Sequence, residues 1–517
     1  MSSMDKQNLI FPLSYAPDLK EKEEQECNRS IKEEGVIMLT KMYLTNFLSF
    51  LDRTEIDFTA SKYNILSETN VYDNTILKGG LFIGPNAAGK SNALKGIAFL
   101  INMIKGDGAS FELYRCRFSI RPFVALEYEF DFLNKKVVYK IECNVKTKDI
   151  SEEVVIDDVW VLKREGAKGE LRIGESISKD DQLDKDTLFL RTASFNTGRF
   201  PQEPVLRKLI DYLNNSYYID GYNRGKSWGK CITKYVDEYG VEKINKYLQE
   251  FNYDFFIEYG AESTGEGATV SVGSNEKRVF FKRKSFPFPS DFYGESQGNQ
   301  MFADMLPNLI RTMESPGMLI FDEFGNSLHN KLAEKIVEFF MENAEKSQLF
   351  ITSHDTNLIS NSVFRPDQIN LVTFNDSKGS KVTRLSKFKP RETQNLEKMY
   401  LGGMFEGLPS YEKVKETLIM GRLYKINPTC PYCGEEHEYW TIRLTDEEQQ
   451  ILDEHTRQHA GENPIIVLMS PPGLTVTRRV KCKLCHNEFK AHVAIRRESE
   501  VGWTHPDFLP LGKYPVY

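Results

Sequence analysis

The stretch LFIGPNAAGKSNAL at residues 81–94 constrains this chain more than any other. An apolar run ends at Ile83, and Gly84, Gly89, Lys90 and Ser91 then fit G-x-x-x-x-G-K-[ST]. Glycines let backbone N–H groups curl around phosphate oxygens without Cβ clashes. Lys90 supplies a point charge for the β- and γ-phosphates, and the Ser91 hydroxyl is placed to ligate Mg²⁺. Asn92 then opens a helix whose N-terminus faces the phosphates. A chance glycine turn would satisfy the pattern alone, so the reading depends on its downstream partners.

Those partners are present. MLIFDEF (318–324) reads as a buried strand ending in two carboxylates. Asp322 is expected to hold the Mg²⁺ shell through water, and Glu323 to polarise an attacking water. QLFITSHD (348–355) is a second apolar strand, ending in His354, which could sense the γ-phosphate. Between them, Asn326 to His329 opens a helix in which Leu332, Ile336 and Phe339 follow helical spacing. Upstream, ESQGNQMFADMLPNLI (295–310) places Ser296, Gln297 and Gly298 at a helix start, where hydroxyl and N–H groups could bind an anion. The P-loop already has its own Lys and Mg²⁺ ligands. A second anion site therefore makes sense facing ATP on another subunit, the simpler reading being an N-cap.

The ordered set LTNFLSF (44–50), GPNAAGKSN, ESQGNQ, LIFDEFGNSLH and FITSHD resembles the ATP-binding-cassette class of head-domain ATPases, as in SMC and RecF proteins. More narrowly, it resembles the single-chain AAA-family ATPases of prokaryotic abortive-infection and anti-phage systems. The likeness spans roughly residues 40–390. It implies an α/β fold: an ABC-type head with a mixed P-loop sheet flanked by helices. By that resemblance Gly84, Pro85, Asn86, Ala87, Ala88, Gly89, Lys90, Ser91 and Asn92 bind the nucleotide, with Asn46 and Phe47 near it. Ser296 and Gly298 form a signature acting in trans, Asn326 to His329 a dimer-facing loop, and Lys90, Glu323 and His354 the catalytic set. It also implies a homodimer or higher oligomer through the heads, and a separate effector encoded nearby. Two departures stand out: Asn299 replaces the common Thr of the signature, and residues 110–150 offer no obvious Q-loop glutamine.

The remaining sequence divides into regions. Residues 1–38 are polar, with KEKEEQE at 20–26, and read as an extension. Residues 39–135 carry the P-loop lobe, 136–290 an α+β insertion, and 291–390 the lobe with signature, acidic strand and switch His. No heptad run long enough for an SMC-length coiled-coil arm is present. The insertion carries EKRVFFKRKSF (276–286), basic residues interleaved with aromatics, which could follow a phosphate backbone or form an exposed hairpin.

Residues 391–517 have their own chemistry. Cys430 and Cys433, then Cys482 and Cys485, form two C-x-x-C knuckles, and four thiolates suit a structural, tetrahedral Zn²⁺. His455, Asn463 and His486 bear a faint likeness to HNH nucleases, with His455 as base and a metal near His486. Asn463, however, is too close to His455 and too far from Cys482 for that pattern. A zinc-ribbon-like module is favoured. Its strip at 478–497 holds seven Lys/Arg against one acid and could bind nucleic acid or an acidic partner. The net charge of −7 argues against global nucleic-acid affinity. No apolar window reaches membrane-spanning length, the N-terminus lacks a signal pattern, and the other cysteines (27, 116, 143, 231) are scattered, so a cytoplasmic protein without a membrane partner is expected.

Overall fold

In the computed structural model the described residues are 37–405, with short gaps at 107–109, 133–134, 201–202, 222–230, 266–268, 272–275, 285 and 287, together with 407 and parts of 423–495. The chain forms two compact units, residues 1–408 and 409–517.

Two sheets organise the first unit. The central one has six strands in the order Tyr217–Asp220, Gly317–Asp322, Ser347–Thr352, Gly79–Ile83, Ile369–Asn375 and Gly379–Arg384. All neighbours are parallel except the last pair. Its middle strands are buried at every position, which is why they read as unbroken apolar runs. The second sheet has eight antiparallel strands and includes Ile37–Thr45, Phe123–Phe132, Lys135–Asn144 and Asp149–Ile156. Along Phe123–Phe132 burial alternates strictly, because one face is packed and the other is wet. The wet face is laced with ion pairs such as Arg53–Glu127, Lys136–Glu129 and Lys163–Glu153.

The helix Lys90–Lys105 joins the core of both sheets and is buried around most of its circumference. Gly96 lets it approach the eight-stranded sheet: a Cβ there would lie 2.7 Å from Leu44 Cδ2. Gln348, fully buried, ties the sheets together. Its Oε1 accepts from Leu39 N–H at 2.8 Å and from Tyr212 O–H at 2.7 Å, and its Nε2 donates to the Leu39 and Leu77 carbonyls, each at 2.9 Å.

The expected 136–290 insertion is not a separate body. Its strands from Lys135 to Asp180 extend the sheet begun by Ile37–Thr45 and Phe123–Phe132, and Tyr217–Asp220 becomes the edge strand beside Gly317–Asp322. Only the part around the three-stranded sheet Phe255–Gly260, Arg278–Arg283 and Ser290–Asp291 is distinct, and it packs against the helix Gln297–Glu314 through Tyr253 stacked on Phe302 at 4.5 Å. In EKRVFFKRKSF, Val279, Phe280 and Phe281 are buried, while Lys282 pairs with Glu258 at 3.1 Å and Arg283 with Glu295 at 2.6 Å. These cations are already neutralised within the chain, which favours the hairpin reading over a phosphate-tracking one.

In the second unit the strands Leu474–Lys481 and Glu488–Ile495 form an antiparallel hairpin whose turn carries Cys482 and Cys485. The polar extension 1–36, Cys430, His455 and Asn463 lie outside the described residues.

Replacing Gln348 with Leu would strand two backbone groups of Leu39, the Leu77 carbonyl and the Tyr212 hydroxyl. The expected loss is at least about 4 kcal/mol, since each of the four buried groups left unsatisfied costs about 1–3 kcal/mol. Urea unfolding of Gln348→Leu beside the wild type measures it.

Candidate functional site

The site lies at the carboxyl ends of three adjacent parallel strands, Gly317–Asp322, Ser347–Thr352 and Gly79–Ile83, where α/β sheets bind ligands. The loop 84–89 leaves the last of these. Gly84 has φ 155° and a Cβ on it would sit 2.1 Å from the Val372 carbonyl oxygen, so only glycine fits. Gly89 has φ 106° and leads into the helix Lys90–Lys105. Asn86 and Ala87 are exposed at the loop tip, Pro85, Ser91 and Asn92 are half-buried, and Ala88 is buried. Lys90 Nζ donates to the Gly84 and Pro85 carbonyls at 3.1 and 3.0 Å. Burial holds its ammonium below the ordinary lysine range, partly offset by the nearby Glu323 and Asp322 charges.

Two serines that sequence reading passed over support this loop from beneath. Ser49 Oγ accepts from Asn92 Nδ2 at 2.8 Å, and the Ser380 hydroxyl lies 2.7 Å from both Ser49 Oγ and the Ala88 carbonyl. Asn46 and Phe47 lie in the layer below. Asn46 donates to the Arg121 and Phe123 carbonyls, and Phe47 stacks on Tyr114 at 5.5 Å. Both are fully buried, so they shape the turn that presents Ser49 and offer no face to a ligand.

Asp322 is 4 % exposed, with Thr352 Oγ1 donating to Oδ1 at 2.5 Å and Tyr218 O–H donating to Oδ2 at 3.2 Å. Glu323 has φ 59°, and its N–H donates to Thr352 Oγ1 at 2.8 Å. The left-handed turn swings the Glu323 side chain toward the His354 strand end, placing Oε2 3.6 Å from His354 Nε2. Phe324 N–H bonds the Thr352 carbonyl at 2.8 Å, and Ser353 Oγ donates back to the Phe324 carbonyl at 2.8 Å. The acidic and His-bearing strand ends are therefore laced together beyond the regular ladder.

Ser296 is the N-cap of the helix Gln297–Glu314, accepting from Asn299 N–H at 3.3 Å, and it is exposed together with Gln297. Gly298 abuts the turn 325–329: a Cβ there would lie 2.6 Å from the Ser327 carbonyl oxygen. Asn299, the departure from the common Thr, donates to Glu295 Oε2 at 2.8 Å. Glu295 also takes both Arg283 guanidinium donors at 2.6 and 2.9 Å, and these hold its carboxyl down to about 2. The Arg283–Glu295–Asn299 clamp was invisible in sequence because its members come from separate elements. His329 caps the next helix through Nδ1, 3.2 Å from Lys331 N.

The donor sets fit the metals expected of them. Ser91 and the hydroxyl-braced Asp322 offer hard oxygen ligands, as Mg²⁺ requires. Cys433, Cys482 and Cys485 bring three sulfurs within 4.8 Å of one another, with Cys433 and Cys482 3.6 Å apart. Sulfurs around a tetrahedral Zn²⁺ lie about 3.8 Å apart, given Zn–S bonds of about 2.3 Å. The Cys485 N–H points at Cys482 Sγ at 3.3 Å. His486 is exposed, at φ 58° in the turn.

The glycine-rich loop, its lysine, the acidic strand end and the facing His are the parts of a P-loop ATPase site of the AAA type. In agreement, residues 81–210 and 237–360 match a family model described as "AAA domain, putative AbiEii toxin, Type IV TA system". Among solved structures, the SMC head domain from Thermotoga maritima aligns at 14 % identity over 67 % of this chain and 98 % of its own, with a TM-score of 0.36. An SmcHead bound to the C-winged helix domain of ScpA aligns at 13 % identity over 67 % of this chain and 96 % of its own, TM-score 0.38. No curated protein matches the chain.

Gly84→Ala should lower ATP affinity at least tenfold while leaving far-UV circular dichroism unchanged, because the added Cβ meets backbone and the loop itself must move. Titration with a fluorescent ATP analogue reads the loss.

Proposed function

We propose that this protein binds and hydrolyses ATP as a dimerising switch. The observation that carries the reading is the convergence of Lys90, Asp322, Glu323 and His354 at the ends of three adjacent parallel strands of one sheet. In this reading the loop N–H groups and Lys90 hold the triphosphate, and Ser91 and Asp322 would hold Mg²⁺, which supplies charge neutralisation on the phosphates when bound. Glu323 orients a water and takes its proton as the water oxygen attacks the γ-phosphorus and the bridging P–O bond breaks. His354, within reach of Glu323, reports whether the γ-phosphate is present. Little covalent chemistry is asked of the protein; positioning and charge do the catalysis.

Ser296 and Gly298 are assigned to the ATP of a second copy. The support is the exposed helix start at Ser296, stiffened by the Arg283–Glu295–Asn299 clamp and touching the turn at Ser327. Two heads would then share two nucleotides, each completing the other's site. The wider role we assign is control of a separate effector in anti-phage defence, in line with the toxin–antitoxin wording of the matched family. The second reading is a recombination or repair ATPase acting on DNA, which the basic hairpin around Cys482 and Cys485 favours. ATPase activity stimulated by DNA ends without another protein would support that second reading, and an adjacent effector gene the first. A C-terminal nuclease would require DNA cleavage that disappears in His455→Ala. Among the described residues no helix is long and apolar enough to cross a membrane.

We further propose that Cys430 joins Cys433, Cys482 and Cys485 around one structural Zn²⁺ that closes the intervening chain segment.

Glu323→Gln should bind ATP with near-normal affinity, hydrolyse it at least a hundredfold more slowly, and accumulate as an ATP-dependent dimer in sedimentation. Persistence of the monomer at saturating ATP would remove the shared-site arrangement. Lys90→Ala should fail to bind ATP at all.

Elemental analysis should give one zinc per chain. Cys482→Ser should lose that zinc and expose residues 430–490 to protease while ATP binding survives; wild-type protein without zinc would end the assignment.

A further inference from the structure

The Asp322 carboxylate is nearly sealed from solvent, yet no cation of the protein pairs with it through a salt bridge among the described residues. Its bracing is instead made of two hydroxyls, one from each flanking strand: Thr352 on Oδ1 and Tyr218 on Oδ2. The strands Tyr217–Asp220 and Ser347–Thr352 lie on either side of Gly317–Asp322, so the two donors reach the carboxylate from opposite sides. A carboxylate oxygen has two lone-pair directions, and each hydroxyl uses only one.

We propose that Thr352 and Tyr218 are positioning residues which hold Asp322 in the orientation that takes up a divalent cation, and that Thr352 in the same act fixes Glu323. This inference rests on the ATPase reading. The direction of the Thr352 proton is set by its neighbours. Its oxygen accepts from Glu323 N–H at 2.8 Å, so its single proton is left for Asp322 at 2.5 Å. One hydroxyl thereby bonds to the cation ligand and to the backbone from which the general base departs. Glu323 sits in the left-handed region, unfavourable for a residue with a Cβ, and the bond from its N–H to Thr352 is one of the contacts that keep it there. Thr352 is also two residues from His354, so the link joins the acidic strand end to the strand end that senses the γ-phosphate. Neither residue touches the nucleotide or the reacting atoms in this scheme. A side chain that only orients a metal ligand commonly changes metal affinity about 10–100-fold when removed.

The pair makes different demands on substitution. Thr352→Ser keeps the hydroxyl. Thr352→Val keeps the shape and leaves both Asp322 Oδ1 and Glu323 N–H without this partner. Tyr218→Phe frees only Oδ2. The test uses the full chain with a non-hydrolysable ATP analogue and Mn²⁺ as the cation, whose binding is read by electron paramagnetic resonance. Analogue binding in EDTA serves as the control for an intact pocket. We expect Thr352→Val to weaken Mn²⁺ at least tenfold, Thr352→Ser to stay within about twofold of the wild type, and Tyr218→Phe to weaken it a few-fold, with binding in EDTA unchanged for all three. Wild-type Mn²⁺ affinity in Thr352→Val, or an equal loss in Thr352→Ser, overturns the inference. Should Thr352→Val not fold, Tyr218→Phe decides, and unchanged Mn²⁺ affinity in it overturns the inference. If the wild type binds no analogue, the ATPase reading itself has failed; analogue binding with unaltered metal affinity in the variants removes only the positioning role.

Discussion

The strand Ser347–Thr352 carries most of what the molecule has to keep in register. At its start the buried amide of Gln348 bonds to Leu39, Leu77 and Tyr212, so the eight-stranded sheet, the short strand Ile76–Leu77 just ahead of the P-loop strand and the helix Pro204–Asn214 meet at one side chain. At its end the hydroxyl of Thr352 bonds to Asp322 and to the backbone of Glu323. A strand is stiff along its length, so fixing both ends fixes the distance from the sheet-to-sheet junction to the site. Polar groups suit these two points better than apolar ones because hydrogen bonds have direction. An apolar contact at Gln348 would tolerate a slip between the sheets that four directed bonds do not.

A second junction, between the signature helix and the turn 325–329, is made by the absence of a side chain. Gly298 lies close enough to the Ser327 carbonyl that any Cβ would displace it. The clamp of Arg283, Asn299 and Glu295 fixes the same helix start to the three-stranded sheet. The exposed Ser296 is thus held by two separate elements of its own chain.

Much of this was legible in sequence because the central strands are buried on both faces and end in chemically distinctive residues. Gly84 to Ser91, Asp322, Glu323 and His354 announce themselves through spacing and residue type, and the structure puts them at neighbouring strand ends. The supporting residues do not. Ser49, Ser380, Thr352 and Tyr218 are common residue types whose function comes from contacts far apart in sequence. Tyr217–Asp220 is four residues long, too short for a pattern, so its place at the edge of the central sheet went unread and the region 136–290 looked like an insertion. The family resemblance puts Asn46 and Phe47 near the nucleotide; in the structure both are buried next to the turn that carries Ser49.

The left-handed backbone at Glu323 has a consequence for energy flow. A residue with a Cβ in that region costs about 1–2 kcal/mol, and folding of the strand ends, rather than arrival of the nucleotide, meets that cost. The reorganisation needed to aim the carboxylate is therefore complete before any ligand enters. Nucleotide binding free energy is not consumed in bending this turn, so in the switch proposed above it stays available for work elsewhere, such as drawing two heads together.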